Sequence, residues 1–322
     1  MKILVTGGAG FIGSNLVEAL LNDDRVQHVR VLDNLATGSM KNIEAFLDNG
    51  RFEFIKGDIR SYETCLEVCD GIDVISHQAA LGSVPRSIND PLTSNEVNVT
   101  GTLNIFTAAK EKGIKRVVYA ASSSTYGDHP GLPKVEDKIG NPLSPYAVTK
   151  FVNELYAKVY ANVYGLELIG LRYFNVFGPK QNPQGPYAAV IPLFVKSVLN
   201  NEPPLINGDG EHSRDFTFVA NAVQANILAL TTVNKEAVNQ VYNVACGEQT
   251  SLNQLLEEIK GIAGSDLAPK YGPERRGDVK HSLADISKAK QLLGYAPAVT
   301  VREGLKTTFE WYRRYHNFSY SI

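Results

Sequence analysis

The stretch VTGGAGFIGSN, Val5–Asn15, decides how this chain folds. Gly7, Gly10 and Gly13 follow a short apolar run, KILVT, and lead into an amphipathic one, FIGSNLVEALLN. A strand that turns sharply into a helix needs a residue without a Cβ, and a phosphate approaching the backbone needs another. The free N–H groups at the helix start, with the positive end of its dipole, then form an anion site. About twenty residues further on, Asp33 ends a second apolar run, VRVLDN, where its carboxylate can accept hydrogen bonds from ribose hydroxyls. Strand, glycine turn, helix and distant aspartate together predict a dinucleotide site.

Asp33 would repel a 2′-phosphate, and no arginine adjoins it in sequence, so NAD is expected over NADP. Asp58, in KGDIR, ends a third run and can cap the next turn near the adenine. The full set expected against the cofactor is Gly7, Gly10, Phe11, Ile12, Gly13, Asp33, Asn34, Gly38, Asp58, Ile59, Gln78, Ala79, Ala80, Tyr146, Lys150 and Tyr173.

Outward from the glycine turn, the same rhythm repeats. KILVTG, VRVLDN, FEFIKGD, DVISHQAA, RVVYAASS and ELIGLRYFN read as buried parallel strands. FIGSNLVEALLN, NVTGTLNIFTAAKEKG and YAVTKFVNELYAKVYANVYG read as helices between them. Alternation of this kind predicts an α/β fold with a doubly wound parallel sheet. After Asn175 proline and glycine cluster, then VANAVQANILALTTV and QVYNVAC can return to the sheet. The remainder reads as a smaller, mostly helical C-terminal substrate lobe. The expected partition is a cofactor domain of residues 1–174 joined by 214–246, and a lobe of 175–213 and 247–322.

Composition narrows the function. The 322 residues carry 32 Lys and Arg against 34 Asp and Glu, a net charge of −2, so no basic field invites nucleic acid. No run is long enough for a membrane span, and the N-terminus lacks a signal-peptide pattern. Three cysteines, Cys65, Cys69 and Cys246, do not suggest a disulfide framework; a reducing, cytoplasmic setting is expected. The six histidines show no metal-ligand spacing, so no metal is expected.

Two further stretches carry chemistry. AASSSTYGDHP, from Ala120, puts Ser122, Ser123 and Ser124 at the end of a strand. SPYAVTK sets Tyr146 and Lys150 four apart, on one helix face. A phenol with pKa ~10 is scarcely ionised at neutral pH. A nearby ammonium and a positive nicotinamide favour the phenolate, so Tyr146 is expected to act as a base on a substrate hydroxyl, its pKa pulled toward neutrality.

Together the glycine turn, the serine cluster before YG, Tyr146-x-x-x-Lys150 and RYFNVFGP resemble the extended short-chain dehydrogenase/reductases that act on nucleotide sugars. The resemblance covers nearly the whole chain. It implies a Rossmann-like domain holding NAD tightly, a lobe gripping a UDP-sugar, and a homodimer built through two long helices of each subunit. Ser122 matches the family's catalytic Ser or Thr, four residues before the tyrosine of YG. The 4,6-dehydratases of the family carry Asp-Glu at the next two positions, and the UDP-glucuronate decarboxylases a glutamate at the second. Here Ser123 and Ser124 stand there. A hydroxyl does not readily replace a carboxyl as acid or base. The resemblance therefore implies oxidation and re-reduction of one carbon, an epimerisation, with Ser122 or Ser123 relaying the proton.

Residue by residue, Arg214 in SRDFTFV and Arg275 in PERRGDV match arginines that meet the diphosphate, for which guanidinium forks are suited. Asp278 matches an aspartate on a ribose, and Asn175 an asparagine on the sugar nucleotide. Ser282 matches a wall position that is a tyrosine in enzymes limited to UDP-glucose and UDP-galactose; a serine leaves room for an acetamido group. Gly82, Ser83, Gln181, Ala189 and Val190 complete the expected substrate wall, with Ser122, Ser123 and Tyr146. The nearest resemblance is to the UDP-N-acetylglucosamine 4-epimerases of bacterial O-antigen pathways. The alternatives are a UDP-glucose or UDP-glucuronate 4-epimerase and, in another class, an NAD(H)-binding regulator. Regulators of that kind typically lack the tyrosine or lysine.

Overall fold

A computed structural model describes residues 1–184, 188–274 and 279–315. In the first half, β1 (Lys2–Thr6), α1 (Phe11–Leu21), β2 (His28–Asp33), β3 (Phe52–Lys56), α2 (Tyr62–Val68) and β4 (Val74–His77) follow in turn. Two short helices, α3 (Val84–Asn89) and α4 (Pro91–Asn95), then precede α5 (Gly101–Glu111), β5 (Arg116–Ser122), α6 (Pro145–Tyr164) and β6 (Glu167–Tyr173). After β7 (Val176–Phe177) come α7 (Val190–Leu199), β8 (Leu205–Asn207), β9 (Ser213–Arg214), β10 (Thr217–Phe218), α8 (Val219–Thr231) and β11 (Val241–Val244). The chain closes with β12 (Thr250–Ser251), α9 (Leu252–Ala263), β13 (Lys270–Gly272), α10 (Ser287–Leu293) and α11 (Val301–Tyr315).

The central sheet has seven strands in the order β11-β6-β5-β4-β1-β2-β3, every pair parallel. Its apolar runs are unbroken because both faces are covered. Ile3 and Val5 point into the core shared with α1 and α8, whereas Leu4 points into the core shared with α2 and α5. Cys65 and Cys69 are buried in that second core. The expected doubly wound α/β sheet is thus present.

Beyond the central sheet lies a cluster of α7, α9 and α11 with three two-stranded sheets, β8 with β13, β9 with β12 and β7 with β10. Its apolar side chains, including Phe194, Leu255, Ile259 and Phe309, continue the α1–α8 core without a break. The helix α10 packs back on β11 and α8. No described helix is long and apolar enough to cross a membrane.

Candidate active site

A cleft of about 580 Å³ opens at the carboxyl ends of β1 and β4, where the strand order reverses. Crevices at such switch points are where α/β sheets bind ligands. Gly7, Gly10, Phe11, Ile12 and Gly13 line its floor. Asp33, Asn34, Asp58 and Ile59 line one end, with Gln78, Ala79, Ala80 and Tyr173 beside them. Gly38 is not in the lining; it packs on the glycine turn, where a Cβ would lie 2.8 Å from the Ala9 carbonyl carbon.

The cleft fits a dinucleotide. A Cβ on Gly7, at φ +71°, would lie 2.6 Å from the Ala79 nitrogen. One on Gly13 would lie 2.8 Å from the Gly7 carbonyl carbon. No side chain caps α1 and no acidic residue occupies its first turn, so its N-terminus keeps its positive field for a phosphate. Asp33 is buried, and its two carboxylate oxygens accept from the Ala9 N–H at 2.9 Å and the Leu35 N–H at 2.8 Å. These bonds fix the carboxylate at the cleft and leave lone pairs for ribose hydroxyls.

An arginine does reach this end, brought by the fold rather than by sequence proximity. Arg60 lines the cleft, but Asp58 holds it in a fork, Nε–Oδ1 at 3.1 Å and Nη2–Oδ2 at 2.8 Å. Glu96 approaches its other nitrogen at 3.5 Å. The same pairing, chiefly the Arg60 bond, draws the Asp58 carboxyl down to about 2.

Ser122, Tyr146 and Lys150 converge on the cleft from β5 and α6. Ser144 caps α6 by accepting from the Ala147 N–H, and Pro145 opens its first turn. The Tyr146 N–H donates to Ser87 Oγ at 3.0 Å, fixing the helix start. Lys150 Nζ donates to the Ala120 carbonyl at 2.8 Å and lies 5.9 Å from the Tyr146 ring centre.

Burial dominates the electrostatics of this pair. Burial pushes the Tyr146 phenol above its usual value, and only the Ser122 hydrogen bond opposes it. Burial also brings the Lys150 ammonium down to about 8. Desolvation is the larger influence on each group, so the chain's own residues do not bring Tyr146 toward neutrality.

Ser124 is a participant that sequence reasoning had placed only as a missing carboxylate. Its Oγ–H donates to Ser122 Oγ at 2.9 Å and its N–H at 3.1 Å. Both lone pairs of Ser122 are thereby engaged, which leaves its own hydrogen to donate toward Tyr146 or toward a ligand oxygen in the cleft. Ser123 begins the 3₁₀ turn Ser123–Tyr126 and does not line the cleft. Behind the site, a π-helical turn, Glu96–Thr100, presents Asn98, which bonds the Leu81 N–H and carbonyl and also Thr149 on α6. A π turn has no periodic signature in sequence.

Gly82, Ser83, Asn175 and Gln181 line the same cleft. Gln181 is anchored by Tyr312 Oη, which donates to its carbonyl, and its Oε1 is buried without a partner. Asn175 also faces a second pocket, about 140 Å³, lined by Val190, Phe194, Leu205, Asn207, His212, Arg214 and Phe216. Ala189 sits at the N-cap of α7, outside that lining. Ser282 lines neither pocket; its N–H donates to the Ser213 carbonyl at 3.1 Å, next to Arg214. Arg275 and Asp278 lie outside the described residues. Asn207, His212 and Phe216 were not expected, because nothing in their local sequence marks them.

The family model described as "NAD dependent epimerase/dehydratase family" matches residues 3–245. A putative UDP-glucose 4-epimerase of Methanocaldococcus jannaschii is 39% identical over 311 residues, 96% of this chain and 97% of that protein. Among solved structures, a UDP-N-acetylglucosamine 4-epimerase from Methanobrevibacter ruminantium M1, in complex with UDP-N-acetylmuramic acid, superposes with a TM-score of 0.90 at 42% identity, covering 97% of each chain. A UDP-glucuronic acid 4-epimerase from Bacillus cereus, in complex with UDP-glucuronic acid and NAD, gives a TM-score of 0.90 at 34% identity, covering 98% of this chain and 99% of that one. With its glycine turn, its aspartate and its Ser-Tyr-Lys cleft, this chain belongs to the NAD-dependent epimerase/dehydratase family.

Proposed function

We propose that this protein is a UDP-sugar 4-epimerase that interconverts UDP-GlcNAc and UDP-GalNAc. The observation that carries the reaction type is the Ser122–Tyr146–Lys150 site, with hydroxyls at Ser123 and Ser124 where elimination would require carboxylates. Bound NAD supplies a reversible hydride acceptor at the sugar C4. Ser122 orients the 4-hydroxyl, and Tyr146 takes its proton and later returns it. Lys150 places its ammonium on the Tyr146 side of the cleft and orients the nicotinamide ribose. Asn175 sits between the two pockets, so the sugar lies in the large one and the nucleoside in the small one beside Phe216. Arg214 clamps the diphosphate while the oxidised sugar turns over, the role also expected of Arg275.

Cofactor domain and lobe divide at residues 174, 214 and 246. Two such chains pair through α6, whose Val148, Leu155, Val159 and Val163 form an exposed apolar stripe, 47%, 46%, 51% and 64% accessible. Preference for acetylated sugars is supported by the small Gly82 and Ser83 on the cleft wall and by Ser282 in place of a tyrosine.

Purified protein, without added NAD, is incubated separately with UDP-GlcNAc, UDP-GalNAc, UDP-glucose, UDP-galactose and UDP-glucuronate, and products are resolved by chromatography. Interconversion of the acetylated pair is expected. Turnover of only an unacetylated pair, or of UDP-glucuronate, keeps the chemistry and overturns the preference; no turnover even with NAD added overturns both. Ser282→Tyr is expected to suppress acetylated substrates more than plain hexoses, and equal loss on both would refute the gate.

A further inference from the structure

One buried ion pair lies outside the cleft and is used by no step above. Arg172 on β6 meets Glu154 on α6 in a two-pronged contact, Nε–Oε1 at 2.9 Å and Nη2–Oε2 at 2.7 Å. The two side chains are 4% and 5% exposed. Such a pair is a poor stabiliser, since its desolvation cost can exceed its attraction, and well-packed apolar residues often do as well. What a guanidinium fork supplies is fixed geometry.

The segments it joins are those that carry the chemistry. Glu154 follows Tyr146 and Lys150 at two successive four-residue steps, on the same helix face and about 12 Å along the axis from Tyr146. Holding Glu154 therefore fixes the rotation of α6, and with it the direction in which the phenol and ammonium point. The third nitrogen of Arg172, Nη1, donates to the Glu136 carbonyl at 2.9 Å, in the loop between Ser122 and α6. The guanidinium carbon lies 4.7 Å from the centre of the Tyr126 ring, in the turn that begins directly after Ser122. Tyr126 Oη in turn donates to Asn243 Oδ1 at 2.6 Å, and the Asn243 N–H donates to Glu136 Oε1 at 2.9 Å. Next to Arg172 in β6 is Tyr173, a wall residue of the cleft.

We infer that Arg172 and Glu154 are positioning residues that set the placement of Tyr146 relative to Ser122, by tying α6, the Ser122 turn and β6 to one guanidinium. The inference rests on the proposed epimerase reading, so wild-type turnover is the first control; a wild type inactive on every UDP-sugar would sink that reading, and the inference with it. A misplacement of about 1 Å costs roughly 10²-fold in rate.

The test is the paired Glu154→Leu/Arg172→Met variant, which removes both charges together and leaves neither uncompensated. Expected is a folded protein with bound NAD, KM within about 3-fold of wild type and kcat down roughly 10²-fold. A folded, NAD-loaded variant with kcat within about 3-fold of wild type overturns the inference, as does a loss confined to KM. If the pair does not fold, Arg172→Lys serves, since it keeps the charge and loses the fork. A kcat drop at preserved KM supports positioning, and unchanged kcat overturns it.

Discussion

Lys150 is 3% exposed, and burial lowers its ammonium from 10.5 to about 8. That fall corresponds to about 3 kcal/mol against the charged form in the folded protein. The consequence is a pH-dependent gain in stability for Lys150→Met. Between about pH 8 and 10.5 the unfolded chain holds this proton and the folded chain does not, so wild-type stability rises with pH across that window. The lysine's full contribution is present above 10.5 and is lost as pH falls through 8. Methionine has no such dependence. Below pH 8 the variant therefore gains about 3 kcal/mol, less about 1–3 kcal/mol because the Ala120 carbonyl loses its donor. That second quantity does not titrate. The stability difference should decline by about 1.4 kcal/mol per pH unit from 8 upward, whatever its starting value. Urea unfolding of both proteins at intervals from pH 7 to 10.5 measures it, and the buried cysteines and tyrosines cancel because both proteins share them. A difference that is flat across the window, or grows with pH, refutes the reasoning. Turnover of the variant should fall although it is no less stable, a trade-off typical of functional sites.

Three other outcomes are expected. Gly13→Ala places a Cβ against the backbone of Gly7 and Gly8, whereas Gly50→Ala meets nothing within 4 Å. The first should lose bound NAD and about 1–3 kcal/mol of stability while the second changes neither; equal melting temperatures would refute the close approach. Tyr146→Phe should lower kcat by about 10²–10⁴ with NAD retained, measured by product chromatography. Val159→Glu, on the exposed stripe of α6, should shift the proposed dimer to monomer in sedimentation; an unchanged species would refute pairing through α6.

The legible parts of this protein are those in which a local pattern has one physical reading. The strands could be read because a parallel sheet covered on both faces demands unbroken apolar runs, and VRVLDN or RVVYAASS admit little else. The glycine turn was legible because only residues without a Cβ fit it. The helix carrying Tyr146 and Lys150 was legible from its pattern and the four-residue spacing of that pair. The π turn at Glu96–Thr100 was not, because one inserted residue leaves no period behind.

Sequence by itself determined the doubly wound sheet, the cofactor class and which side chains were candidates for the chemistry. These rest on interactions between residues near in sequence, or on the chemistry of one side chain. Only the tertiary structure decided how those groups behave. Burial raises Tyr146 and lowers Lys150, and burial is a sum over neighbours from many segments. The fold also set Arg60 into the cleft that Asp33 lines, laid the buried Asn98 across Leu81 and Thr149, and brought Tyr312 onto Gln181. Such contacts depend on where distant segments meet, and local sequence holds no record of that.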